Sequence, residues 1–271
     1  MTNLNKILIT GGNGTVASYF DFGIKSTRLD FDITDINQVS EFIKKNKPET
    51  IIHLAAETDM AKCEADPAHA YFVNTVGTYN IAMSAKIFGA KMIYVSTDAV
   101  FPASEKAHNV GDVEHPESIY GHSKYLGELA VKGLSSDYII ARTSWIFGGG
   151  KDRDKKFVGK FIPQLDKSEV ITVNDQFSSP TYAKDFVQML KQLIMDGKTG
   201  TFHVVNLGTA SRYDMAKVIV ETLNKKPKIV PTSAKTYGLL SYQQASGGLV
   251  QDVNLRSWVE SLKDYIESEW K

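Results

Sequence analysis

The chain has 271 residues, 42% hydrophobic and 23% charged, the proportions of an ordinary globular protein long enough to bury a sizeable core. Its 31 basic and 31 acidic residues balance, so no global field recruits nucleic acid or an anionic membrane, and a small molecule is the expected partner. The single cysteine, Cys63, excludes an internal disulfide, no Cys/His grouping has zinc spacing, so no metal is expected, and no run approaches ~18 apolar residues.

Lys6-Ile7-Leu8-Ile9-Thr10 reads as the first strand, and its apolar run is too short for a signal peptide, so a cytoplasmic location is expected. Gly11-Gly12-Asn13-Gly14-Thr15-Val16-Ala17 then reads as a turn into a helix. Gly11 and Gly14 allow a tight turn and let backbone N–H groups approach a pyrophosphate at the helix N-terminus. Asp21, Phe22 and Gly23 cut that helix short, which leaves residues 24–29 to supply the second strand. A helix over about 35–45, with Ile36, Val39, Phe42 and Ile43 on one face, leads through Pro48 into the buried strand 51–56. Small Ala55 and Ala56 end that strand and leave room for a cofactor, while His53 inside it reads as a core or hydrogen-bonded histidine.

Ile93-Tyr94-Val95-Ser96-Thr97-Asp98 is an apolar run ending in hydroxyls, the pattern of a buried parallel strand with functional groups at its carboxyl end, where doubly wound sheets bind ligands. A surface loop follows, then a helix over about 118–132 that carries Tyr120 and Lys124. Four-residue spacing places the phenol and the ammonium side by side on one face. A phenol tuned by that cation and a cationic cofactor can protonate a carbonyl oxygen. Tyr138-Ile139-Ile140-Ala141-Arg142 is the next buried strand. Gly148 to Lys156 reads as a flexible, cation-rich loop that is not a P-loop. A helix spans 183–195, a strand 201–206, a helix capped by Ser211 runs to about 223, and an amphipathic helix closes the chain from about 255 to 270.

Taken in order, Thr10-Gly11-Gly12-Asn13-Gly14, Asp32-Ile33-Thr34-Asp35, Val95-Ser96-Thr97-Asp98, the Tyr120/Lys124 pair, Arg142-Thr143-Ser144-Trp145, Asp175-Gln176 and Pro180-Thr181 resemble the dTDP-4-dehydrorhamnose reductase family of the extended short-chain dehydrogenase/reductases. The resemblance implies an α/β, Rossmann-type doubly wound parallel sheet with a smaller, interleaved C-terminal substrate domain. It divides the chain into a dinucleotide-binding part, 1–146 with 171–197 returning to it, and a substrate part, 147–170 and 198–271. It implies an NAD(P)H-dependent reductase of a nucleotide-activated 4-keto-6-deoxysugar, with Tyr120 as proton donor, Lys124 lowering its pKa and Thr97 holding the substrate oxygen. Asp98 and Trp145 join Thr97 as expected substrate contacts. The expected cofactor contacts are Gly11, Gly14, Thr15, Val16, Thr27, Arg28, Asp32, Ile33, Ala55, Ala56 and Thr58, with Tyr120 and Lys124. Thr27 and Arg28 fall where many relatives carry an acid, which tilts the choice toward NADP(H); Asp30 is the competing ribose ligand and leaves NAD(H) as the alternative. Asn74 and His203 match positions of structural role, and a homodimer is a family habit.

The chain also departs from the family. Ala99 stands where relatives place an aromatic, and lack of a glutamate there disfavours dehydration. Gln243-Gln244-Ala245-Ser246-Gly247-Gly248-Leu249 replaces an Arg-Pro segment, so the cations between Lys151 and Lys156 are candidates to hold the diphosphate instead. A sugar epimerase with retained cofactor and a non-catalytic NADP-binding subunit are the alternatives to a reductase.

Overall fold

The computed structural model describes residues 3–240 and 247–271. The strands, in chain order, are β1 (Ile7–Thr10), β2 (Ile24–Ser26), β3 (Thr50–His53), β4 (Lys91–Thr97), β5 (Tyr138–Thr143), β6 (Ile146–Phe147), β7 (Glu169–Val173), β8 (Thr181–Tyr182), β9 (Gly200–His203) and β10 (Lys228–Thr232). Chain contacts divide the protein into two compact units: Met1–Pro102, Val113–Arg142 and Leu190–Phe202 form the first, and Ala103–Asp112, Thr143–Met189 and His203–Lys271 the second.

The first unit is built on a sheet of order β2-β1-β3-β4-β5-β9, in which β1 runs parallel to β2 and β3, and β3 parallel to β4. This is the doubly wound parallel sheet expected from the sequence. Every residue of β1 and β3 is buried, because helices cover both faces of a parallel sheet and its strands are apolar throughout. Helices Ile36–Asn46 and Gly77–Phe88 supply part of that cover, packing Val39, Ile43, Ile81 and Ala85 against Leu8, Ile51, Met92 and Ile140. Asp35 starts the first of these helices by accepting the amides of Asn37 and Gln38.

Three strands end earlier than the sequence reading: β9 stops at His203 and not at 206, and β2 and β3 stop before 29 and 56. β2 ends at Ser26 because the Asp30 carboxylate turns back to accept Thr27 N at 2.7 Å and Thr27 Oγ1 at 3.0 Å, which closes a turn. β3 ends at His53 because the next two amides, of Leu54 and Ala55, donate to Thr10 Oγ1 instead of to a strand, each at 3.2 Å. The helix expected after the glycines is reduced to a 3-10 turn, Val16–Tyr19.

In the second unit β10 pairs in parallel with β7, and β6 with β8. Asp185 ties the unit together: its carboxylate accepts from Asn206, Ser261 and, through two guanidinium nitrogens, Arg256. The last helix starts at Trp258, three residues later than its apolar pattern, because Ser257 and Glu260 form a capping box there. No helix among the described residues is long and apolar enough to cross a membrane.

Candidate active site

Strand order reverses between β1 and β3, and a cleft of about 530 Å³ opens at their carboxyl ends. Of the residues assigned to a cofactor from sequence, Gly11, Thr27, Arg28, Asp32, Ile33, Ala55 and Ala56 line it. Gly11 has φ +72°, and a Cβ there would lie 2.9 Å from Ala55 N, so both backbone shape and space require glycine. Gly14 donates its amide to Gly11 O at 2.9 Å, Thr15 and Val16 open the 3-10 turn, and Thr58 is exposed just before the helix Met60–Ala65. Asp32 accepts Thr34 N at 2.9 Å and Thr34 Oγ1 at 2.7 Å; that amide, first of all, holds its pKa below the usual carboxylate range. Arg28, its side chain 83% exposed, pairs with Asp32 at 3.3 Å, so a guanidinium stands at the mouth of the cleft. Asp30 is engaged with Thr27, as described above. The cleft's size, the glycine turn at its base and the cation at its mouth fit a phosphorylated dinucleotide.

Behind the cleft runs a buried chain that sequence alone left as a single hydrogen-bonded histidine. Thr10 Oγ1 donates to His53 Nδ1 at 2.7 Å, His53 Nε2 lies 3.2 Å from Thr78 Oγ1, and Thr78 donates to Asn74 O at 2.6 Å. Since the Thr78 hydrogen is committed to Asn74, His53 must carry its proton on Nε2. Burial, then the charge of Lys124, lowers its pKa to about 3, so it is neutral at physiological pH. Asn74 has the structural part expected of it: it accepts Glu57 N at 2.8 Å and donates to Glu57 O and to Ser123 Oγ, joining the loop after β3 to the Tyr120 helix.

That helix, Ile119–Leu134, is started by Ser118, which accepts Gly121 N, and by Glu64, which accepts Ile119 N at 2.7 Å. It comes so close to the turn after β4 that a Cβ on Gly121 would lie 2.1 Å from Ala99 O. Thr97 and Asp98 are buried at the end of β4, and the half-buried Tyr120 hydrogen-bonds with the Thr97 side chain. Ala99 N donates to Thr97 Oγ1, which itself donates to Asp98 Oδ1 at 3.2 Å. Ser96 Oγ, at the same strand end, is buried and has no hydrogen-bond partner among the described residues. Lys124 is buried, donating to Val95 O at 2.8 Å with its Nζ 4.1 Å from the centre of the Tyr94 ring. Thr97, Tyr120 and Lys124 therefore meet at the carboxyl end of β4.

The electrostatics differ from the sequence expectation. Tyr120 has its pKa raised, not lowered, because burial outweighs the Thr97 hydrogen bond. Burial also brings Lys124 down to about 7, against the opposing pull of Glu128. No sequence signal marks Glu128. It is fully buried and accepts Arg142 Nε at 2.9 Å and Nη2 at 2.7 Å, while Glu114 also contacts Arg142 and Lys132 reaches both carboxylates. Among the described residues no group of three or more His, Cys, Asp or Glu is arranged to hold a metal.

In the second unit, Trp145 has φ +34° and stacks under Arg212, whose guanidinium carbon is 3.6 Å from the ring centre. No local sequence signal pointed to Arg212, 67 residues away. The expected flexible basic loop has structure of its own: Gly150–Arg153 is a helical turn, and buried Asp154 accepts Lys156 N at 2.9 Å and Tyr265 OH at 3.0 Å. Lys151, Arg153, Lys155 and Lys156 are exposed. Of the segment that replaces the Arg-Pro motif, Gln243, Gln244, Ala245 and Ser246 lie outside the described residues. Gly247 (φ +81°) approaches the backbone so closely that a Cβ would lie 2.5 Å from Ser104 O. His203 is structural, its amide held by Asp252 and its Nδ1 3.1 Å from Val250 O.

Against known proteins, the family described as RmlD substrate binding domain matches residues 5–268. The chain is 33% identical to dTDP-4-dehydrorhamnose reductase of Mycolicibacterium smegmatis, over 96% of this chain and 85% of that protein. It is 29% identical to spore coat polysaccharide biosynthesis protein SpsK of Bacillus subtilis, over 97% and 98%. The crystal structure of dTDP-4-dehydrorhamnose reductase from Bacillus anthracis in complex with NADP superposes with a TM-score of 0.90 at 31% identity, covering 96% of this chain and 98% of that one.

Proposed function

The chain belongs to the dTDP-4-dehydrorhamnose reductase family, and from that premise we propose that it is an NADPH-dependent reductase of a nucleotide-activated 4-keto-6-deoxysugar. The observation that best supports this reading is the meeting of Thr97, Tyr120 and Lys124 at one strand end in the unit that carries the dinucleotide-sized cleft.

Gly11, Gly14, Thr15 and Val16 hold the pyrophosphate with backbone amides, Thr27 and Arg28 take the ribose 2′-phosphate, and Asp32 and Ile33 border the adenine. Ala55 and Ala56 give the cofactor room beside Thr58, and Lys124 and Tyr120 hold its nicotinamide ribose. When bound, NADPH supplies the hydride that reduces the keto carbon. Thr97 turns its one hydroxyl hydrogen from Asp98 to the keto oxygen and Tyr120 gives that oxygen the proton, with Trp145 as the sugar contact that the resemblance implies. A phenol whose pKa is raised is fully protonated at neutral pH, which is the form a proton donor needs. Lys124, its ammonium form supported by Glu128, stabilises negative charge as it develops on the phenolic oxygen.

The experiment is NADPH oxidation over a panel of nucleotide 4-keto-sugars that includes dTDP-4-dehydrorhamnose. Turnover with net consumption of NADPH supports the reading; conversion without consumption points to an epimerase, and no turnover on any member defeats the proposal. Arg28 provides a separate check on cofactor choice. Replacing it by Ala is expected to raise KM for NADPH about tenfold and leave KM for NADH nearly unchanged, because a 2′-phosphate loses a charge-assisted partner and a 2′-hydroxyl does not. Equal effects on both cofactors would remove Arg28 from phosphate recognition.

A further inference from the structure

Among the described residues, three other than glycine have positive φ: Lys47, Asn224 and Trp145. Lys47 closes a helix at its C-cap, and Asn224 follows the end of another, places where a left-handed residue satisfies helix carbonyls. Trp145 closes no helix. It lies between β5 and β6, and a bulky residue in that region persists only if its surroundings over-determine it.

The surroundings are specific. On the backbone side, Trp145 O accepts Thr181 N, Ile146 is in register with Thr181, and the neighbouring Ser144 hydroxyl pairs with that of Ser178. On the ring side stands the Arg212 guanidinium at 3.6 Å, itself 4.9 Å from the Phe157 ring centre. Arg212 is the first residue of the helix Arg212–Thr222, whose start is fixed by a capping box between Ser211 and Asp214. A cation at that end opposes the helix dipole, and within the helix Arg212 reaches the weak acceptor Met215 Sδ at 3.9 Å, so the dipole gives no reason for an arginine there. Stacking on Trp145 does.

We infer that Arg212 is a positioning residue that holds the Trp145 ring in one orientation above its strained backbone, and through it sets the affinity for the sugar nucleotide. The inference rests on the reading that Trp145 contacts the sugar. A planar guanidinium on a rigid helix start covers one face of the indole and fixes its tilt, leaving the rest of the side chain to meet a ligand in one geometry. Lysine does not replace it, because an ammonium has no plane to stack.

The test combines kinetics and spectroscopy on Arg212→Met, Arg212→Lys, Trp145→Ala and the double variant Trp145→Ala/Arg212→Met, with dTDP-4-dehydrorhamnose as the probe substrate. Arg212→Met is expected to raise its KM about tenfold, with kcat within about twofold and KM for NADPH unchanged, and Arg212→Lys is expected to recover little of the loss. In the Trp145→Ala background, Arg212→Met is expected to add nothing further. The near-UV circular dichroism band lost on Trp145→Ala should be lost or inverted in Arg212→Met. Additive effects on KM would mean that Arg212 acts on the ligand directly, and an unchanged KM in Arg212→Met beside a raised one in Trp145→Ala would mean that it does not act at all; either overturns the inference. If Trp145→Ala leaves KM unchanged, or no variant turns over the probe, the reading of Trp145 or of the substrate has failed, and the dichroism decides: an unaltered Trp145 band in Arg212→Met then refutes the positioning role.

Discussion

Tyr120→Phe is expected to lower kcat for keto-sugar reduction by about 10²–10⁴-fold while leaving the NADPH-induced rise in melting temperature nearly intact. The substitution removes one oxygen and keeps the ring that packs at the start of helix Ile119–Leu134. What disappears is the hydrogen that the keto oxygen must receive, together with the hydrogen bond to Thr97. The protonation state makes the prediction sharper. Because burial raises the phenol, Tyr120 stays protonated through neutral pH, so the wild-type rate should not fall as pH drops from 8 to 6 for want of this proton. A Phe variant with wild-type kcat would place the proton donor elsewhere.

The raised pKa has an origin that no local pattern in the sequence encodes. Spacing alone places Tyr120 and Lys124 on one face of one helix, and the apolar run before Thr97 marks a strand with hydroxyls at its carboxyl end. Those are local, periodic signals, and the helix and β4 formed where the signals put them. The sign of the phenol's shift was not local. It depends on how much water the fold removes and on where the ammonium points, and Lys124 is directed at Val95 O and the face of Tyr94. The role of Glu128 is non-local for the same reason: a glutamate on a helix reads as solvated until Arg142, arriving from β5, buries it in an ion pair. Arg212 and Trp145 meet only through tertiary packing, and no period or turn in either segment encodes the contact. The early ends of β2 and β3 belong between these cases. Asp30 and Thr10 are side chains that compete with strand hydrogen bonds, a competition that composition allows but does not decide.

Lys124→Met is expected to abolish most activity, by about 10²–10³-fold, and yet to make the folded protein more stable at neutral and acid pH. The buried ammonium has a folded pKa of about 7 against 10.5 for an ordinary lysine. Below pH 7 the folded state holds this proton in an environment that disfavours it, a cost on the order of a few kcal/mol that the unfolded chain does not bear. Between pH 7 and 10.5 the unfolded chain binds the proton and the folded one does not, so stability rises with pH and the cost is gone near 10.5. Methionine fills a similar volume without charge, but it abandons Val95 O, a loss of about 1–3 kcal/mol. The balance should therefore favour the variant at pH 6, by a few degrees in melting temperature, shrink as pH rises, and reverse by about pH 10. Arg142, which relies on Glu128 and Glu114 and not on Lys124, should keep its pairing in the variant. Melting curves of the two proteins between pH 6 and 10 check this: a variant less stable than the wild type at pH 6 would mean that the lysine is better solvated or paired than its burial indicates, and that the fold does not give up stability to keep a cation beside Tyr120.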